Sequence, residues 1–166
     1  FAPKGNIVGN VPKGTGVLVL ATNNVEIFNN KIRNHKTFGA GIISYYMTEI
    51  PIHDKAYDPY PAGISIHDNQ FIRKPGRVPL KGRFGKLYRL LLKVGKNPPM
   101  IIYDGIKDPK KLNTNGEFYP ENKICISNNT PQSFMILDAE HNFKGKVWND
   151  PTYICDLIST KKVDKK

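Results

Sequence analysis

Between positions 53 and 73 the chain gathers side chains that can move protons or hold charge: His53, Asp54, Asp58, Tyr60, His67, Asp68 and Arg73. Removing an activated carbon-bound proton requires a base, together with a cation such as Ca2+ or Arg to stabilise the anion that forms. For that chemistry His67, Asp68, Tyr60 and Arg73 make the candidate catalytic set, with Tyr45, Tyr57, His53 and Asp58 as candidate substrate-binding residues. Tyr45, Tyr46, Tyr57, Tyr60 and Tyr88 could add a sugar-stacking surface. Each residue also has a plainer use. Asp68 suits a corner that bonds backbone, since Asn29 and Asn128 fill the equivalent place without an acid. His53 and His67 are lone imidazoles that suit loop hydrogen bonds, and Asp58-Pro59-Tyr60-Pro61 reads as a rigid turn.

Other chemistries find less. Aspartates admit a Ca2+ site, yet no spaced acidic run of the EF-hand kind and no glycine-aspartate nonapeptide occurs. The chain has no Gly-x-Ser-x-Gly elbow, no His-Glu-x-x-His and no phosphate-binding glycine loop. Its basic residues follow no nucleic-acid reader motif, so no nucleic-acid partner is expected. Two cysteines, Cys125 and Cys155, are too few for a paired zinc site. In an exported protein they would form a disulfide tying the last coil to the C-terminal segment; in the cytosol they would be buried thiols.

The elements that must position these groups repeat. Val25–Ile32 (VEIFNNKI), Ile64–Phe71 (ISIHDNQF) and Ile124–Asn129 (ICISNN) each alternate apolar residues with period two, then meet an Asn or Asp that tolerates a left-handed corner. Alternation puts Ile64 and Ile66 inside, with Ser65 and His67 outside. Near-continuous apolar strands, Gly16–Ala21, Gly41–Tyr46 and Met100–Gly105, precede the copies and suit a buried parallel sheet. Gly16 to Gly41 spans 25 positions, within the length of a solenoid unit. The expected fold is therefore all-β, a right-handed parallel β-helix of about three coils, with an antiparallel sandwich as its competitor.

Two insertions interrupt the spacing. The first, Thr48–Gly63, is rich in Pro, Tyr and Asp. The second contains Phe84–Val94, where Phe84, Leu87, Leu91 and Val94 share a helical face; a short amphipathic helix is expected, covering the sheet or touching a membrane or glycan. Ser133–Ala139 reads as a final strand followed by a cap, and Ile7–Val11 as part of an earlier coil that leaves an open edge for further coils or another chain. Residues 1–158 form one domain and 159–166 a basic flexible tail with Lys161, Lys162, Lys165 and Lys166.

The bulk figures agree with a globular chain rich in turns: 39% hydrophobic, 23% charged, 13 Pro and 14 Gly among 166 residues. A formal charge of +11 favours an anionic partner. Apolar stretches such as Val17–Ala21 are too short to span a bilayer, and Phe1 is not a natural start, so a processed or longer protein is expected.

Asn23–Ile42 and Pro61–Phe71 resemble right-handed parallel β-helix repeats of the pectate-lyase-like superfamily. With GTGVLVLATNNVEIFNNKI, AYDPYPAGISIHDNQF, YDGI and KICISNN, the chain is similar to the C-terminal part of bacterial parallel β-helix domain-containing proteins. The resemblance implies an exported protein, periplasmic, cell-surface or extracellular, with further coils upstream, and leaves activity open because the superfamily holds lyases, hydrolases, epimerases and members without a known reaction. Three functions follow as expectations: binding of an acidic polysaccharide or a structural role, a lyase or epimerase acting on uronic-acid glycans, and an assembly subunit whose Lys86, Arg89 and Lys93 meet an acidic partner.

Overall fold

A computed structural model of the chain describes residues 11–73, 76–78, 80 and 85–157. The strands among them are β1 (Thr15–Leu20), β2 (Asn23–Phe28), β3 (Lys31–Arg33), β4 (Phe38–Ile43), β5 (Ala62–His67), β6 (Gln70–Ile72), β7 (Ile101–Tyr103), β8 (Ile124–Ser127), β9 (Phe134–Ile136) and β10 (Val147–Trp148). They assemble into a five-stranded sheet in the order β1-β4-β7-β9-β10, a three-stranded sheet β2-β5-β8 and a two-stranded sheet β3-β6.

The apolar alternation of the repeated segments fixes their register. Val25 lies beside Ile64 and Ile64 beside Ile124, while Ile27, Ile66 and Ile126 form the next column, all in parallel pairing. A one-residue slip would turn both columns to solvent, so burial selects this alignment. Each strand then ends in a left-handed residue, Asn29 (φ 54°), Asp68 (φ 53°) or Asn128 (φ 53°), residue types whose short polar side chains tolerate that region.

Beside those corners runs a column of asparagines, exposed at Asn30 and buried at Asn69 and Asn129. Asn30 donates from its backbone N and its Nδ2 to Asn69 Oδ1, at 3.0 and 3.1 Å, and Asn69 donates from both to Asn129 Oδ1, at 3.1 Å each. Asn69 Nδ2 also reaches the Ile27 carbonyl and Asn129 Nδ2 the Ile66 carbonyl, so the amides satisfy backbone acceptors as well as one another. One hydrophobic core, including Ile42, Ile64, Ile66, Ile101, Tyr103 and Ile126, lies between the sheets. A second, with Phe38, Ile43, Ile102, Met135 and Leu137, lies on the other face of the five-stranded sheet under the second insertion.

The expected all-β right-handed β-helix is overturned as a fold class. The sheets are separate and do not close into a solenoid; about 16% of the described residues are helical against 32% in strands. Three physical features account for the difference. The strands are short, from two to six residues. The β3-β6 ladder reaches its third rung only as a single bridge between Gln70 and Thr130, where Pro131, lacking an N–H, follows. Past β9 the chain turns through left-handed Asp138 and Asn142 and returns as β10, antiparallel to β9, which makes the largest sheet mixed.

The expected amphipathic helix is a five-residue π-helix, Leu87–Leu91, closed by a 2.8 Å bond from the Leu92 N–H to the Leu87 carbonyl. The wider turn moves the buried face to Tyr88 and Leu92, with Leu87 and Val94 packed beside them, and leaves Leu91 exposed. The insertion thereby covers the five-stranded sheet. Phe84, residues 7–10 of the expected earlier coil Ile7–Val11 and the tail at 159–166 lie outside the described residues.

Candidate functional site: a tyrosine-lined groove

Ser44 opens a 3-10 turn, Tyr45–Thr48, directly after β4, and the first insertion then crosses the surface and returns to β5 at Ala62. Two tyrosines on the turn meet two on the returning segment. Tyr45 and Tyr57 pack edge to face with ring centroids 5.1 Å apart, and Tyr46 and Tyr60 do the same at 5.3 Å. Between this segment and the 3-10 turn Pro109–Lys111 lies an open groove of about 830 Å3, lined by Tyr46, Tyr57, Tyr60, Ile50, Asp54 and Asp108 among others. Tyr46 is 47% and Tyr57 39% exposed, so ring surface is available to a ligand.

Asp58 pins the groove floor. Its carboxylate accepts from Lys111 Nζ at 2.6 Å, Asn23 Nδ2 at 2.9 Å and the Tyr60 N–H at 3.0 Å. Burial acts to raise its pKa, but the Lys111 and Asn23 hydrogen bonds outweigh that effect and hold the carboxyl below its ordinary value. The expected rigid turn Asp58–Pro61 is thus fastened to the start of β2 and to the Pro109–Lys111 turn. Asp58 acts as a brace, its oxygens already engaged. The Tyr60 hydroxyl is pushed up to about 12, first by its hydrogen bond with Tyr46 and then by burial, which keeps it a neutral donor and acceptor.

A buried acid that sequence reading passed over supports the same turn. Asp104 follows β7 and accepts from the Ser44 N–H at 2.6 Å and from the Ile106 N–H at 3.1 Å. Burial pushes its carboxyl up to about 6 despite those two bonds. It therefore holds the residue from which Tyr45 and Tyr46 depart. The signal lay in the chain: an aspartate closing the apolar strand Ile101–Tyr103, followed by Gly105 at φ 89°.

Of the candidate catalytic residues only His67 and Asp68 meet, while Tyr60 and Arg73 are held elsewhere. Tyr60 precedes β5 and His67 ends it, and the strand alone separates their ends by roughly 16 Å at about 3.3 Å per residue. His67 Nδ1 lies 2.6 Å from Asp68 Oδ2, Nε2 lies 3.0 Å from Glu26 Oε1, and the ring stacks on Phe28 at 5.4 Å. The Asp68 hydrogen bond leads in raising the imidazole pKa; burial opposes it, and the Glu26 hydrogen bond and the charges of both carboxylates add to the rise. With a carboxylate at each ring nitrogen, the imidazole presents neither of them to a substrate proton.

Arg73 donates to the Pro98 and Pro99 carbonyls at 2.8 and 2.9 Å, closing the base of the second insertion instead of facing a sugar acid. Burial lowers its pKa. Of the candidate binding residues, Tyr57 and Asp58 line the groove and Tyr45 packs on Tyr57, while His53 is an exposed residue of the same insertion. Among the described residues no group of three or more His, Cys, Asp or Glu side chains is arranged to hold a metal ion, so the Ca2+ expectation gains no site there. Cys125 and Cys155 form a disulfide, and no helix of the described residues is long and apolar enough to cross a membrane.

Comparison of the chain with family models, curated proteins and solved structures finds no match.

Proposed function

We propose that the protein binds a saccharide chain in the tyrosine-lined groove, as a recognition module and not as a catalyst. The single observation that carries this reading is the lining of an open groove of about 830 Å3 by Tyr46, Tyr57 and Tyr60, with Tyr46 packed on Tyr60 and Tyr57 braced by Tyr45. Aromatic faces shield the apolar side of a sugar ring, and nearby carboxylates and phenols accept or donate to its hydroxyls. With Lys111, which pairs with Asp58 and approaches Asp108, the groove sets Glu49, Asp54, Asp58 and Asp108 against Lys55, Lys110 and Lys111; it offers no excess of positive charge, so a neutral glycan complements it better than the acidic polysaccharide suggested by net charge.

The lyase or epimerase reading loses its base, because both nitrogens of His67 face carboxylates. The Cys125–Cys155 bridge supports an exported setting, periplasmic or extracellular, where glycans are met. A glycan array probed with the labelled protein tests the proposal: retention on neutral oligosaccharides is the expected result. Retention confined to polyuronates, or formation of an unsaturated ultraviolet-absorbing product from them, overturns it.

A further inference from the structure

The second insertion carries a surface that the groove does not explain. Between Asn69 and Tyr103 the sequence contains no Asp or Glu and nine of the chain's 25 Lys and Arg, whereas the other 16 are set against all 14 acids. The positive charge of the molecule therefore resides largely in this one segment. Its π-helix is anchored from beneath by Tyr88 and Leu92, both buried, while Leu90 is 62% and Leu91 54% exposed. Exposed Lys86, Lys93 and Lys96 flank the two leucines in sequence, and half-buried Arg89 stands on the same helix. Arg73 ties the two ends of the insertion together through Pro98 and Pro99.

We propose that this face seats the protein on the surface of an anionic phospholipid bilayer, with Leu90 and Leu91 entering the acyl boundary and Lys86, Arg89 and Lys93 meeting lipid headgroups. Both components are needed for interfacial binding: apolar side chains that enter the boundary and cations that meet negative headgroups. Long lysine stems let the ammonium stay at headgroup level while the leucines lie deeper. A polyanion in water would engage the cations and leave two leucines wet, which is why the bilayer is favoured over a soluble acidic polymer.

Sedimentation with vesicles of phosphatidylcholine alone, and of phosphatidylcholine mixed with phosphatidylglycerol, tests this. The protein is expected to bind the mixed vesicles, more weakly as salt rises, and to leave the neutral ones unbound. Leu90→Ser/Leu91→Ser is expected to weaken binding by about tenfold, equal to about 1.4 kcal/mol, with an unchanged melting temperature. Lys86→Gln, at an exposed position, serves as a second variant and should weaken binding and flatten its salt dependence. No binding to the mixed vesicles overturns the proposal. So does equal binding by the wild type and the double leucine variant, which would mark a general polyanion patch.

Discussion

At His67 two carboxylates and an aromatic ring fix one imidazole, and the consequence is a pH signature. Its pKa is raised above the ordinary value of about 6.5. Stability from the Glu26–His67–Asp68 bridge is then fully present below about pH 6.5 and is lost as pH rises through the raised value. An NMR titration of the imidazole is expected to show that raised midpoint, and Glu26→Gln should lower it. A midpoint at or below the ordinary value contradicts the bridge.

Asp104 acts in a different window. Its carboxyl titrates near 6 in the fold against 3.8 for the free group, so the native state binds the extra proton and stability falls as pH rises from about 4 to about 6. The whole effect is about 3 kcal/mol. Unfolding followed across that range should show the decline, and Asp104→Asn should flatten it while losing one of the two side-chain oxygens that accept from the Ser44 and Ile106 N–H groups. A pH-independent wild type there would remove the buried acid from the description of the groove.

At the scale of elements, much of the pairing was legible and the architecture was not. Period-two alternation with a terminal Asn or Asp located β2, β5 and β8 and their left-handed corners, because only one register buries both isoleucine columns. The closing of those sheets into a solenoid did not follow, since it depends on the short two-residue β10 and on the single bridge at Thr130, neither of which leaves a periodic trace. The helical face of the second insertion was misplaced for a related reason. Leu87, Leu91 and Val94 align at α-helical spacing, and nothing in composition announces a π-turn that rotates Tyr88 and Leu92 inward instead.

The asparagine column makes a prediction at this scale. Asn69→Ala removes the acceptor of the Asn30 N–H and the donor to the Ile27 carbonyl in a buried place. The expected cost is about 2–3 kcal/mol, read as a lower denaturation midpoint with an unchanged denaturant slope. A change within experimental scatter would mean that water replaces the amide.

Over the whole molecule, the candidate residues divided between separate regions because nearness in sequence is not nearness across a strand. Tyr57, Asp58 and Tyr60 stayed with the groove; His67 and Asp68 were carried to the far end of β5, and Arg73 to the base of the second insertion. Tyr45 and Tyr46 belonged with the first group, which their place after β4 made plausible and their ring contacts make concrete.

The Cys125–Cys155 bridge, 30 residues apart, ties β8 to the C-terminal segment. Loop-closure entropy assigns it about 3–4 kcal/mol. The Cys125→Ser/Cys155→Ser variant should lose that much in chemical denaturation, and an unchanged midpoint would confine the bridge to local pinning of the last residues.

Saccharide recognition by the tyrosine groove is tested most directly by calorimetric titration with cello-, xylo- and chito-oligosaccharides, comparing the wild type with Tyr46→Ala and Tyr57→Ala. Heat of binding to at least one neutral series is predicted, weakened by about tenfold in each variant through loss of ring contact, with the native circular-dichroism spectrum preserved. Saturable binding that both substitutions leave untouched, or no heat with any neutral series, would contradict it.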